Sequence, residues 1–185
     1  MRTGASSTLA RQWVHDRSLL GDAGLVVAFS LFTALMAHIA IPLPFTPVPI
    51  TGQTFAVLLT GAVLGARLGS ASMLAYIAEG IVGLPVFAAA PGAATYGYLA
   101  GFVVAAFVVG WLADRGWTRD LPHTVAAMVA GEVAIYALGL LWLARFVPPP
   151  SLLALGLFPF LIGDAIKLAL AAIALPAGWR LSGAR

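Results

Sequence analysis

The sequence predicts an all-α membrane protein with six transmembrane helices, short second and third helices and proline-rich extracellular loops. Hydrophobic residues make up 61% of the 185 and charged ones only 9%, with a mean hydropathy of +0.99, whereas charged residues supply about a quarter of a soluble domain. The length accommodates roughly five to seven spans of about 20 residues each, with no room for a separate soluble domain. The few charges are also sorted along the chain as a membrane topology sorts them. A net charge of +3 and an isoelectric point near 9.8 therefore reflect topology rather than nucleic-acid binding.

Residues 1–22 carry Arg2, Arg11, Asp16, Arg17 and Asp22 ahead of the first apolar run and read as a cytoplasmic tail with a short interfacial helix around Trp13. No small-residue cleavage site follows that run, so a removed signal peptide is not expected. Span 1 covers residues 23–41, roughly 28 Å of helix at about 1.5 Å per residue, which matches the hydrocarbon core. It stops at a strap, residues 41–53 (IPLPFTPVPITGQ), that holds Pro42, Pro44, Pro47 and Pro49 and no charge. Proline fixes φ, lacks the amide N–H and drives its predecessor toward extended geometry, so the strap is rigid and non-helical. An apolar segment poor in donors suits membrane depth, where irregular backbone lines a cavity or lies buried in protein.

Segments 54–66 and 70–82, separated by Arg67, Leu68 and Gly69, are too short to cross a bilayer upright. A second uncharged loop, residues 84–95 with Pro85 and Pro91, leads to span 4 at 96–113. The charged loop 114–120 follows, then span 5 at 125–147, a stop at Pro148, Pro149 and Pro150, and span 6 at 152–175. The membrane domain is thus 23–175, and residues 176–185 form a cytoplasmic C-terminal tail.

With the N-terminus inside, Arg2, Arg11, Arg17, Arg67, Arg115, Arg119, Arg180 and Arg185 fall on the cytoplasmic side, Arg145 falls outside, and Lys167 lies within span 6. That bias places both termini in the cytoplasm of a multi-pass protein of the cytoplasmic (inner) membrane. Both proline loops then share the outer face, where an external solute arrives. Small residues at four-residue steps in span 1, Ser30/Ala34 and Thr33/Ala37, allow a helix to approach closely, either within the chain or from a docked membrane partner.

Glu79, Glu132, Asp164 and Lys167 lie within the apolar spans, where a charge requires a partner or a polar cavity. Asp164 and Lys167, three apart, share a helix face. They serve either as an ion pair that pins span 6 or as a joint contact for a zwitterionic or hydrogen-bonding ligand. Gly163 beside them leaves room for a close approach. Tyr136 stands one turn after Glu132 on the same face, so either the two line a cavity opposite Asp164 or Glu132, nearer the cytoplasmic end, is a water-exposed or interfacial acid. Glu79, within a turn of the outer loop, is either a further cavity acid or a snorkelling one, and His38 reads as a helix-packing residue.

The strap adds Phe45, Thr46, Thr51, Gln53 and Thr54, and the second loop adds Phe87, Tyr96 and Tyr98 as lid residues or interfacial anchors. Apolar walls, a few amides and hydroxyls and one charged pair suit a small amphipathic solute. The candidate substrate-binding residues are therefore Asp164, Lys167, Phe45, Thr46, Gln53, Phe87, Tyr98, Tyr136 and Gly163. There is no cysteine, and His15, His38 and His123 are scattered, so no disulfide or metal-ligand pattern arises. Phosphate-loop, Gly-x-Ser-x-Gly and H-E-x-x-H motifs are absent as well, and no catalytic residue, metal or cofactor is assigned. A stand-alone proton-coupled carrier, with Glu79, Glu132 and Asp164 as its relay, is the alternative to a solute-capturing subunit.

The runs IPLPFTPVPITGQTFAVLLTGAVLGARLG at 41–69, GLPVFA at 83–88, GYLAGF at 97–102 and PFLIGDAIK at 159–167 together resemble the BioY family, the biotin-binding S components of energy-coupling factor (ECF) transporters. The resemblance covers residues 23–175. It implies a six-helix protein, not an enzyme, that captures biotin from outside with high affinity. It also implies a complex with a transmembrane coupling protein and two ABC-type ATPases, the coupling protein meeting the small residues of span 1. Some family members occur without a dedicated energising module, and a homo-oligomer is left open.

Carried onto this sequence, Asp164 and Lys167 are the polar pair of the biotin site, which the strap and the GLPVFA loop close. The sequence departs from the family pattern at Ala94-Thr95-Tyr96, where Pro-Thr-Gly is usual, and at Glu132, where a neutral amide is common. Biotin's ureido ring needs donors and acceptors such as Asp164 and the neutral strap groups. Its thiophane and valerate need apolar walls such as Phe45 and Phe87. The carboxylate meets Lys167 or stays near the loops.

Overall fold

The computed structural model describes residues 8–10, 18–88 and 92–181. The interfacial helix expected around Trp13 lies outside these residues, as does Pro91. Helix α1 (Leu19–His38) begins where the Ser18 side chain accepts a hydrogen bond from the Gly21 N–H at 3.0 Å. This N-cap draws the helix start back into the expected tail and leaves Asp22 in the first turn, where the helix dipole favours an acid.

The strap is non-helical, and its ends pair. Strand β1 (Ala40–Ile41) runs antiparallel to β2 (Ile50–Thr51), with Ala40 opposite Thr51 and Ile41 opposite Ile50. All four prolines fall between the two strands, where no ladder donor is needed. The Gly52 N–H then donates to the carbonyls of Met36 and Ile39 at 3.1 and 3.0 Å, tying the hairpin to the end of α1.

Helix α2 (Gln53–Leu64) and helix α3 (Ala66–Ile81) meet at Gly65. The sequence reading placed this break at Arg67, Leu68 and Gly69, but those residues form the first turn of α3. Gly65 has φ +84°, a backbone conformation open to glycine and costly for a residue with Cβ. The first free amide of α3, from Ala66, donates to Asp114 Oδ2 at 3.1 Å. At 12 and 16 residues, α2 and α3 are about 18 and 24 Å long, both short of a hydrocarbon core.

A 3₁₀ turn (Ala93–Thr95) leads into α4 (Tyr96–Ala113), the extent that the sequence predicts. Helix α5 (Leu121–Leu143) starts and ends four residues earlier than expected. Asp120 caps it by accepting the His123 N–H at 3.1 Å, and Pro122 occupies the first turn, a start signal that outweighs the onset of the apolar run. At its other end, Arg145 and Phe146 donate to the carbonyls three residues back, tightening the helix to a stop before the prolines.

Span 6 is not one helix. After a 3₁₀ turn (Pro149–Ser151), α6 (Leu152–Gly156) ends, residues 157–160 turn, and α7 (Leu161–Leu181) begins, running through Pro176 into the expected tail. Pro159 explains the break, because it has no N–H for the carbonyl of Leu155. That carbonyl instead accepts the Thr46 hydroxyl of the strap at 2.7 Å, and the neighbouring carbonyl of Gly156 accepts Tyr98 OH at 2.8 Å. Freed backbone acceptors at membrane depth are thus satisfied by side chains.

Four helical stretches among the described residues are long and apolar enough to cross a membrane: Leu19–His38, Ala93–Ala113, Leu121–Leu143 and Pro149–Leu181. Large side chains such as Leu35, Phe107, Val133, Leu141 and Ile173 face outward, a surface suited to lipid rather than water. The chain is an integral membrane protein.

Basic residues segregate by end. Trp179 Nε1 donates to Thr118 Oγ1 at 3.1 Å and the Arg119 guanidinium lies 4.8 Å from the Trp179 ring centre. These contacts bring Arg115 and Arg119 to the same end as Arg180, and the Ala66–Asp114 bond adds Arg67. Arg145 stacks on Trp142 at 4.5 Å, and Trp142 Nε1 donates to the Ala93 carbonyl at 2.7 Å, at the end that carries the loops.

Candidate functional site

A cavity of about 660 Å³, its open mouth included, lies between the strap and the helices. The hairpin contributes Val48, Pro49 and Thr51, α2 contributes Gln53 and Thr54, and the second loop contributes Phe87 and Ala88. Thr95 precedes Tyr98, Leu99 and Phe102 of α4, while Ile135 and Tyr136 come from α5 and Phe160, Asp164 and Lys167 from the end of the chain. Most of this lining is apolar.

The polar groups converge on one carboxylate. Asp164, 6% exposed, sits in the first turn of α7 because the Pro159 break starts a new helix there, and the positive end of the helix dipole favours its charge. Its Oδ1 accepts Lys167 Nζ at 3.0 Å and the Thr54 hydroxyl at 3.2 Å, and its Oδ2 accepts Tyr136 OH. Lys167 Nζ also donates to Thr54 Oγ1 at 2.9 Å. Residues from three helices therefore hold an ion pair against the cavity, with one of the three ammonium N–H groups free of these bonds.

A second network joins strap to loop. Thr51 Oγ1 donates to Gln53 Oε1 at 3.0 Å, Gln53 Nε2 donates to Tyr76 OH at 2.7 Å, and Tyr76 OH donates to the Val86 carbonyl at 3.1 Å. The rings of Tyr76 and Phe87 meet edge to face at 5.3 Å. A Cβ on Gly80 would strike the Phe87 ring, so glycine there is what seats the loop on α3. Gly80→Ala is expected to push the ring off its seat and weaken ligand binding about tenfold, about 1.4 kcal/mol, with little change in Tm because a side-chain tip can move. Unchanged affinity in a binding titration would separate Phe87 from ligand contact.

Of the sequence candidates, Asp164, Lys167, Gln53, Phe87, Tyr98 and Tyr136 line the cavity. Phe45 does not, being 58% exposed at the outer bend of the strap, and Val48 supplies the apolar contact instead. Thr46 is buried and engaged with Leu155, and Gly163 lies off the lining with Ile50 as its nearest neighbour. Glu132 is buried behind the lining, with no hydrogen-bond partner for either oxygen among the described residues.

The four small residues of α1, Ser30, Thr33, Ala34 and Ala37, are all buried within the chain. Ser30 Oγ donates to Glu79 Oε1 at 2.7 Å, so Glu79 is held between α1 and α3 rather than snorkelling. His38 Nδ1 lies 2.8 Å from the Ala34 carbonyl, a contact within its own helix. Among contributors that sequence reasoning missed, Phe102 was signalled by its place one turn from Tyr98. Tyr76 and Phe160 carried no such signal, because their positions follow from the loop seat and the Pro159 break.

The BioY family model matches residues 7–184. A protein of Pyrococcus horikoshii named a probable biotin transporter BioY is 37% identical over 158 residues, covering 82% of this chain and 92% of the relative. The biotin transporter BioY of Thermotoga maritima is 39% identical over 156 residues, covering 80% and 91%. Among solved structures, the S-component for biotin from an ECF-type ABC transporter superposes with a TM-score of 0.76 at 22% identity, covering 88% of this chain and 94% of that one; the likeness is one of fold. The chain is a member of the BioY family.

Proposed function

We propose that this chain captures biotin and mediates its uptake as the substrate-specific subunit of an ECF-type transporter. One observation carries the reading: an Asp164–Lys167 pair, braced by Thr54 and Tyr136, on an otherwise apolar cavity. Biotin's ureido group both donates and accepts, as these residues do, and its thiophane and valerate suit Val48, Phe87, Phe102 and Ile135. The names borne by the relatives supply the same substrate.

The finer parts of the proposal rest on sequence. α2 and α3 count as short spans beside the four long stretches, giving six. Segregation of the arginines supports both termini in the cytoplasm, with the cavity mouth opening outward. A membrane coupling protein and two ABC-type ATPases supply the energy, since this sequence has no phosphate loop. The carrier alternative loses support from geometry, because Glu79 is bonded to Ser30 at the α1–α3 interface while Glu132 and Asp164 lie on α5 and α7. Equilibrium titration of the purified protein with biotin is expected to give a submicromolar Kd. Binding no tighter than that of an unrelated carboxylic acid would overturn the reading.

A further inference from the structure

Behind the capture pair lies a third ionisable group that the binding network does not use. Glu132 is 9% exposed, and both of its carboxylate oxygens are closed off from solvent without a hydrogen-bond donor among the described residues. It nevertheless stands one helical turn before Tyr136, whose hydroxyl donates to Asp164. The groups facing it are few. α7 presents Asp164 and Lys167, α5 itself presents Tyr136, and the ring of Tyr98 of α4 meets Tyr136 edge to face at 6.4 Å. α2 has no ionisable residue, and where it and α4 meet α5, Leu58 and Val109 close over Gly131. One ammonium therefore faces two carboxyl groups, and the nearer one, Asp164, already holds it at 3.0 Å.

An ionised carboxylate sealed from water without donors or a cation of its own is the arrangement that burial penalises most, whereas a neutral carboxylic acid in the same place is far less costly. We infer that Glu132 is a proton-binding residue of the capture site, present as the neutral acid in the state that binds ligand. Its proton leaves Asp164 and Lys167 as a balanced pair, with the ammonium's remaining donor capacity available to the ligand. Losing that proton adds a second negative charge that competes for Lys167 and disfavours a monoanionic ligand. Affinity therefore falls as pH rises through the ionisation of Glu132, by at most about tenfold per pH unit for one linked proton.

The ligand arm of this inference rests on the biotin reading; the proton arm does not. In ligand-free protein reconstituted in lipid, the infrared carbonyl stretch of a protonated carboxyl is expected at neutral pH, lost in Glu132→Gln and retained in Glu79→Gln. A spectrum unchanged by Glu132→Gln overturns the inference. Glu132→Leu, which removes the acid and keeps an apolar side chain, provides the same reading if the glutamine variant fails to fold. In biotin titrations across pH, the wild-type protein is expected to lose affinity on the alkaline side and Glu132→Gln to hold it; parallel profiles overturn the inference. If biotin binds neither protein, the functional reading fails and the infrared result alone decides the proton.

Discussion

Replacing Lys167 with alanine is expected to abolish biotin capture while leaving the protein folded. The ammonium makes two hydrogen bonds, to Asp164 Oδ1 and Thr54 Oγ1 at 3.0 and 2.9 Å, and its loss leaves a buried carboxylate with only the hydroxyls of Thr54 and Tyr136. Removing one partner of a buried ion pair costs about 3–5 kcal/mol because the other charge is left uncompensated. At the lower bound, an equal loss in binding corresponds to a Kd raised by about two orders of magnitude. The fold is expected to survive, because the core cluster around Tyr76, Met73, Met128 and Ile135 does not depend on the pair. The measurement is a biotin titration beside a thermal melt in the same detergent. Intact affinity with a lowered Tm would make the pair a structural pin for α7 and no part of the binding site.

The lining of this cavity is legible in the sequence where chemistry is local and illegible where backbone breaks decide direction. Asp164 and Lys167 were legible because charge in an apolar span demands a partner and three residues of helix bring one round. The strap was legible because proline restricts the chain whatever surrounds it. Phe45 was misplaced because the strap folds into a hairpin, and a two-residue ladder decides which side chains turn inward. Thr46 was assigned to ligand when its hydroxyl serves the carbonyl that Pro159 leaves open, a pairing 109 residues apart in sequence that composition cannot reveal.

Helix limits failed for related reasons. The onset of apolarity marked Val125, but Asp120 and Pro122 start α5 earlier, and Gly65 rather than the Arg67 region turns α2 into α3. Small residues at four-residue steps in α1 carry the same ambiguity in any membrane helix, since the spacing that admits a partner equally admits a neighbour from the same chain. Here Ser30 makes the choice by bonding Glu79 of α3.

At the arginine-bearing end, Gly110→Val is expected to cause a large loss of stability. A Cβ at Gly110 would meet backbone atoms of Gly65 and Ala66, the Ala66 Cα at 2.6 Å, and backbone cannot rotate aside as a ring tip can. Helix α4 would have to move off the turn between α2 and α3, and the bond from the Ala66 N–H to Asp114 Oδ2, one turn further along α4, would open. The same helix face already packs backbone to backbone, since a Cβ on Gly61 would lie 2.6 Å from the Ala106 carbonyl oxygen; the displacement cannot be absorbed one turn earlier. Overpacking costs about 1–3 kcal/mol and occasionally more, and a clash with backbone belongs at the upper end, seen as a fall in Tm in detergent. Ala100→Val, on the exposed face of the same helix, is the control and is expected to leave Tm unchanged. The capture pair lies at the far end of the helices, so the folded fraction of Gly110→Val should bind biotin with unaltered Kd. A wild-type Tm for that variant would mean that α4 does not rest on the α2–α3 turn.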